Sequence, residues 1–179
     1  FLLRRQRQMC IRDRALVLSP LQKQNYLRHY PGCAQRLQEL PPGIDQGRRI
    51  ERRDPAVRSA LRAELGISGD QRLILQVGSG FKIKGVDRAI RAIASLPGKL
   101  RASVRYVLVG QDRAGPYHQL AKKLRLANQV VILPGRDDIP RFMVGADLLL
   151  HPAYMESAGY VLLEACLLYT SPSPRDTPQ

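Results

Sequence analysis

At 179 residues and 44% hydrophobic, the chain has the length to bury one core, with part of a second, and is too apolar to be read as disordered. Apolar runs such as "ADLLL" fall far short of the roughly 20 residues that cross a bilayer, and the N-terminus lacks the sections of a signal peptide. Cys10, Cys33 and Cys166 are odd in number and not in metal-ligand spacing, which predicts a reducing, cytoplasmic setting, while the net charge of +14 raises nucleic acid or an anionic surface as partners.

Both ends of the chain read as foreign. "RRQRQMCIRD" (Arg4–Asp13) and "CLLYTSPSPRD" (from Cys166) match translations of the adapters of transposon-based sequencing libraries. Residues 1–14 and 166–179 are therefore expected to be adapter-derived and are set aside. Ala15–Ala165 then holds 23 basic and 13 acidic residues, a net charge of +10.

"ALVLS" reads as a short strand ending at Ser19, an N-cap, with Pro20 opening the helix "PLQKQNYLRHY". Packing against a sheet is the expected use of Tyr26, Leu27 and Tyr30. Lys23 and Arg28 beside them also suit an anionic membrane surface. "RLQELPPGID" is extended and enters a turn, and Asp45–Arg53 is polar and aperiodic, the expected linker. Asp54 and Pro55 start a second helix carrying Val57, Leu61 and Leu65, and Gly66 stops it. Strands and helices then alternate: "RLILQV", "GVDRAIRAIASL", "SVRYVLVG", "PYHQLAKKLRL", "QVVIL", "DIPRFMVGA", "DLLLHP" and the helix start "SAGYVLLEA". Continuous apolar strands separated by amphipathic helices predict an α/β fold, a doubly wound parallel sheet covered on both faces.

Ligands of such sheets bind beyond the carboxyl ends of the strands, which here carry "VGSGFKIKG", "LVGQD" and "LHPAYMESAG". The first is neither a dinucleotide fingerprint, since Ile83 stands where glycine is needed, nor a Walker A loop, since Val86 and Asp87 follow Gly85. It leaves a flexible Gly78-Ser79-Gly80 turn with Lys82 and Lys84 beyond it. Taken alone, these read more simply as solvated surface lysines than as phosphate ligands.

Glu156 and Glu164 lie eight positions apart. Both in one helix, they would be separated by ~12 Å, too far for a glycosidase pair at about 5 to 9.5 Å. The distance suits a ligand the length of a nucleotide sugar. Ser157-Ala158-Gly159 between them would let a diphosphate approach the free N–H groups of a helix start. Singly, Glu164 reads as an exposed helix glutamate and Glu156 as a loop acid or cap. With no D-x-D and with His29, His118 and His151 isolated, no metal is expected. His151, after a strand and before Pro152, reads as a structural or hydrogen-bonded histidine rather than a catalytic one.

"ESAGYVLLEA" resembles the E-x7-E motif of retaining GT-B glycosyltransferases of family 4. "PPGID", "GSGFKIKG", "VVILPGRDDI" and "ADLLLHPAYMESAG" occur in that family's order, and "LLLHPAY", "GVDRAI" and "PPGI" are most similar to its lipopolysaccharide-core heptose glucosyltransferases. The resemblance implies that residues 15–45 end the acceptor domain and form the crossing, and that 46–165 form a truncated nucleotide-sugar donor domain. It implies a UDP-sugar donor with Lys84 on the diphosphate and Arg48 as its cationic partner. Glu156 would hold the transferred hexose, Glu164 the ribose, and Gly135-Arg136 would border the nucleobase. Gly78, Ser79, Gly80, Ser157, Ala158 and Gly159 would complete the donor surface, and no metal or other cofactor would take part. Lys82-Ile83 depart from the family pattern, in which an Arg often precedes the Lys-Gly pair, so Arg48 or Lys82 would supply the second phosphate charge.

The expected activity of the parent protein is transfer of a hexose, glucose, to a lipid-linked lipopolysaccharide core acceptor at the cytoplasmic face of the inner membrane. The chain by itself, without most of an acceptor domain, is expected to be inactive. The alternatives are a family-4 enzyme for another sugar or acceptor, and a non-catalytic basic α/β module binding a small ligand or nucleic acid. Basic residues spread over helices, with only 6% aromatics, argue against nucleic acid.

Overall fold

The structure is a computed structural model, and it describes residues 14–45, 53–156 and 158–169. The chain divides into two compact units between Gly43 and Ile44.

In the first unit, β1 (Ala15–Val17) and β2 (Leu37–Glu39) pair in parallel, with Ala15 opposite Leu37. Between them run α1 (Pro20–His29) and a 3-10 turn, Pro31–Arg36. Ser19 Oγ accepts from the Gln22 N–H at 3.2 Å, while Gln22 Oε1 accepts from the Leu18 N–H at 2.9 Å. This reciprocal capping starts the helix where the sequence predicts. The expectation that α1 packs its apolar residues is corrected: it buries none of them, and Leu21, Tyr26 and Tyr30 are exposed. Its apolar residues are too scattered to make one stripe, and Lys23 instead ties it to Glu39 at 3.1 Å.

The second unit begins, after the undescribed residues 46–52, with α2 (Pro55–Glu64), capped by Asp54, whose carboxylate accepts from the Ala56 N–H at 2.8 Å. There follow β3 (Arg72–Val77), α3 (Val86–Ala94), α4 (Gly98–Ala102), β4 (Val104–Val109) and α5 (Gly115–Lys123). Then come β5 (Val130–Leu133), α6 (Ile139–Gly145), β6 (Leu148–Leu149) and α7 (Tyr160–Tyr169). The short α4 after Pro97 is an addition to the sequence reading. So is the length of α7, which continues past Ala165 and buries Leu168.

Among the described residues, the strands pair in the order β5-β4-β3-β6, all in parallel. Side-chain alternation along β4 builds both cores. Val107 and Val109 face Leu61, Phe142 and Leu168, while Val104, Tyr106 and Leu108 face Phe81, Ile90, Ile93 and Leu126. The expected parallel sheet covered on both faces is therefore present.

Asp147, just before β6, joins helix to sheet. Its carboxylate accepts from Arg58 at 2.6 Å, Arg62 at 3.2 Å and the Leu73 N–H at 2.7 Å. Arg58 and Arg62 are one helical turn apart on α2, so both reach the same acid. Burial by itself would raise the Asp147 carboxyl, but the Leu73 N–H and the two guanidinium groups outweigh it and hold it below the ordinary carboxylate range. Among the described residues, no helix is long and apolar enough to cross a membrane.

Asp147→Ala would leave the nearly buried Arg62 without its carboxylate and is expected to lower stability by roughly 2–4 kcal/mol in urea unfolding. Because its folded value is depressed, the Asp147 contribution is complete above the unfolded value. It is lost as pH falls through the folded one, so the variant should also show a shallower acid-side decline.

Candidate functional site

The loop after β3 owes its shape to three glycines with positive φ: Gly78 at +144°, Gly80 at +73° and Gly85 at +66°. Gly85 matters most. A Cβ there would enter the Pro152 carbonyl group, so only glycine lets this loop meet the one after β6. The contact is reinforced on its flank. The Tyr154 N–H donates to the Ile83 carbonyl at 2.8 Å, the Arg88 guanidinium lies 3.4 Å from the Tyr154 ring centroid, and the Tyr154 hydroxyl donates to Asp87 at 3.1 Å.

Two loops far apart in sequence thus bring Lys84 and Glu156 together, Nζ to Oε2 at 2.5 Å. The same oxygen meets His151 Nε2 at 2.7 Å, while Oε1 accepts from the Gly159 N–H at 3.1 Å and the Ala158 N–H at 3.4 Å. Burial alone would raise the Glu156 carboxyl. Lys84, the Gly159 N–H and His151 together overcome it and bring it down to about 2.

Lys84 is held from below by an amide the sequence reading missed. Gln76, fully buried in β3, donates through Nε2 to the Lys84 carbonyl at 2.8 Å, and its Oε1 accepts from the Tyr106 hydroxyl at 2.7 Å. Burial pushes the Tyr106 hydroxyl well above its ordinary value, so it remains a donor. The available signal was a lone polar residue inside the apolar strand "RLILQV". Asp112 acts similarly, accepting from the Phe81 N–H at 2.8 Å, and Ser79 Oγ accepts from the Gln111 N–H at 3.0 Å.

Of the other expected site residues, Gly78, Ser79 and Gly80 lie at the carboxyl end of β3, and a Cβ on Gly78 would touch the Lys84 stem at 3.3 Å. Gly135 and Arg136 follow β5. The Arg136 side chain forks onto Asp138 at 2.7 and 2.8 Å. Glu164 sits on α7 and is buried, not the exposed helix glutamate of the simpler reading. The Ala158 and Gly159 N–H groups, expected to be open to a diphosphate, point at Glu156. Arg48 and Ser157 lie outside the described residues. Lys82 lines a groove of about 570 Å³ with Tyr117 and Tyr154. Among the described residues, no group of three His, Cys, Asp or Glu side chains is placed to hold a metal.

Residues 57–170 match the family profile of glycosyl transferases group 1. The chain belongs to that family. Within it, this glycosyltransferase chain is 45% identical over 150 residues to the lipopolysaccharide glucosyltransferase WaaG of Escherichia coli, covering 84% of the chain and 40% of that relative. It is 30% identical over 161 residues to D-inositol 3-phosphate glycosyltransferase of Mycolicibacterium smegmatis, covering 86% and 35%. The crystal structure of WaaG, a glycosyltransferase involved in lipopolysaccharide biosynthesis, superposes with a TM-score of 0.79 over 85% of this chain and 41% of its own. HepE of Anabaena, in complex with UDP-glucose, superposes at 0.74 with 26% identity over 87% and 42%. The chain thus spans about two fifths of these glycosyltransferases, and the resemblance to GT-B enzymes of family 4 is borne out.

Glu156→Gln is expected to remove the Lys84 ion pair and to flatten the acid limb of the stability profile. A carboxyl lowered to about 2 contributes fully above its ordinary value and loses that contribution only as pH falls towards 2. Urea unfolding of both proteins between neutral and strongly acid pH checks this.

Proposed function

We propose that the protein to which this chain belongs transfers glucose from UDP-glucose, with retention of configuration, to a lipid-linked lipopolysaccharide core acceptor. The Lys84–Glu156 pair, standing beyond the carboxyl end of a parallel sheet, is the observation that carries the reading. Support for the donor comes from the likeness to HepE, whose structure holds UDP-glucose. Support for the acceptor comes from the 45% identity to WaaG.

In this reading the ion pair is the resting state of the site. A diphosphate draws Lys84 away from Glu156, and the ammonium offsets the negative charge that builds on the leaving nucleoside diphosphate. Arg48 is its cationic partner. Glu156, released, accepts from hydroxyls of the hexose. Glu164 accepts from the ribose, and the backbone of Gly135 and Arg136 borders the uracil. The carboxylates and lysine do this work without a metal. Residues 15–45 belong to the end of the acceptor domain and the crossing, 46–165 to the donor domain, and residues 1–14 and 166–179 are adapter scars. The parent protein works at the cytoplasmic face of the inner membrane.

Calorimetry with UDP-glucose on the full-length protein, recovered from a contiguous genomic read, tests the donor site. Lys84→Ala and Glu164→Ala are each expected to weaken binding by about tenfold or more, the loss of a charge-assisted hydrogen bond. No binding by a folded wild type would overturn the donor assignment. The 179-residue chain alone is expected to give no glucosyl transfer in a radiolabelled assay, because closure of two domains is needed to complete the site.

A further inference from the structure

The sequence reading took His151 as a structural or hydrogen-bonded histidine without a named partner. Its ring is nearly enclosed, with 9% of the side chain exposed, and its Nε2 lies 2.7 Å from Glu156 Oε2. A carboxylate can only accept, so Nε2 carries the hydrogen whether the imidazole is neutral or charged.

His151 is also fixed along the chain. The residue before it, Leu150, donates its N–H to the Leu75 carbonyl at 2.8 Å. The residue after it is Pro152, whose ring restricts the backbone and whose carbonyl rests on Gly85. The imidazole therefore approaches Glu156 from a rigid base on a side chain with two torsions. Lys84 approaches the same oxygen on a four-carbon stem that can swing to another anion.

We infer that His151 is a positioning residue for Glu156, holding the Oε2 atom in place when a nucleotide sugar draws Lys84 away and so aiming the carboxylate at the hexose. The inference rests on the donor-site reading above. Without His151, Oε2 would lose its rigid donor once Lys84 leaves, while Oε1 stays with the Ala158 and Gly159 N–H groups. A partly exposed carboxylate without that donor on Oε2 can rotate away from the sugar. His151 touches no substrate in this scheme; it acts through Glu156.

The consequence is a split between ligands. Glu156 meets the hexose and not the nucleotide, so loss of His151 affects UDP-glucose and spares UDP. A merely structural histidine would affect both alike. The test is calorimetry of the full-length protein with each ligand, in wild type, His151→Phe and His151→Gln. Phenylalanine fills the space without a donor, and the glutamine amide can return an N–H to Glu156. His151→Phe is expected to weaken UDP-glucose by about tenfold, as for one hydrogen bond to a charged group. It should leave UDP within about twofold, a shift small beside the tenfold that 1.4 kcal/mol represents. His151→Gln should restore most of the loss.

Equal weakening of both ligands, an unchanged UDP-glucose affinity, or a loss that His151→Gln shares in full would each overturn the positioning role and leave the donor site standing. A wild type that binds neither ligand would overturn the donor reading, and this role with it.

Discussion

Gly85 is the constraint on which the site rests. Its left-handed backbone and missing Cβ allow the loop after β3 to lie against the Pro152 carbonyl, and no other residue fits both conditions. Without that approach Lys84 and Glu156, 72 positions apart, would not meet. The flanking contacts of Tyr154 with Ile83, Arg88 and Asp87 then keep the two loops from sliding. One backbone-to-backbone contact thus converts two strand ends into a single charged site.

The charges in that site converge on one carboxylate. Glu156 is saturated by partners of different kinds: a mobile ammonium, a rigid imidazole and N–H groups of the loop that leads into α7. Such an arrangement keeps a carboxylate ionised down to about pH 2 and lets one partner be given up without stranding the charge. Lys84 has its backbone fixed through the buried Gln76 amide, while its long stem carries the ammonium to Glu156. The buried Gln76 amide, itself held by Tyr106, gives that lysine a rigid base.

The sequence reading recovered the layered fold because the information is local. Unbroken apolar strands, helix caps at Ser19 and Asp54, and alternation of strand and helix each follow from a few neighbouring residues. The reading failed where the deciding contacts are distant. Tyr26 and Tyr30 look like core residues on a helical wheel, yet α1 leaves them exposed. Asp147 reads as part of a strand, yet it organises two arginines of α2. Gln76 is visible as an anomaly in an apolar strand, but its purpose depends on Tyr106 in the next strand and on Lys84 in the following loop.

What the sequence determined by itself is the fold class, the family and the identity of the charged residues at the strand ends, since periodicity, turn chemistry and motif order are all written along the chain. Tertiary structure alone decided which of those charges meet. It paired Lys84, and not Lys82, with Glu156, and it gave the hydrogen-bonded His151 its partner. It also buried Glu164. The physical reason is that pairing energies act through space over a few ångströms, and the close approach at Gly85 that brings these groups within range involves residues that no local pattern connects.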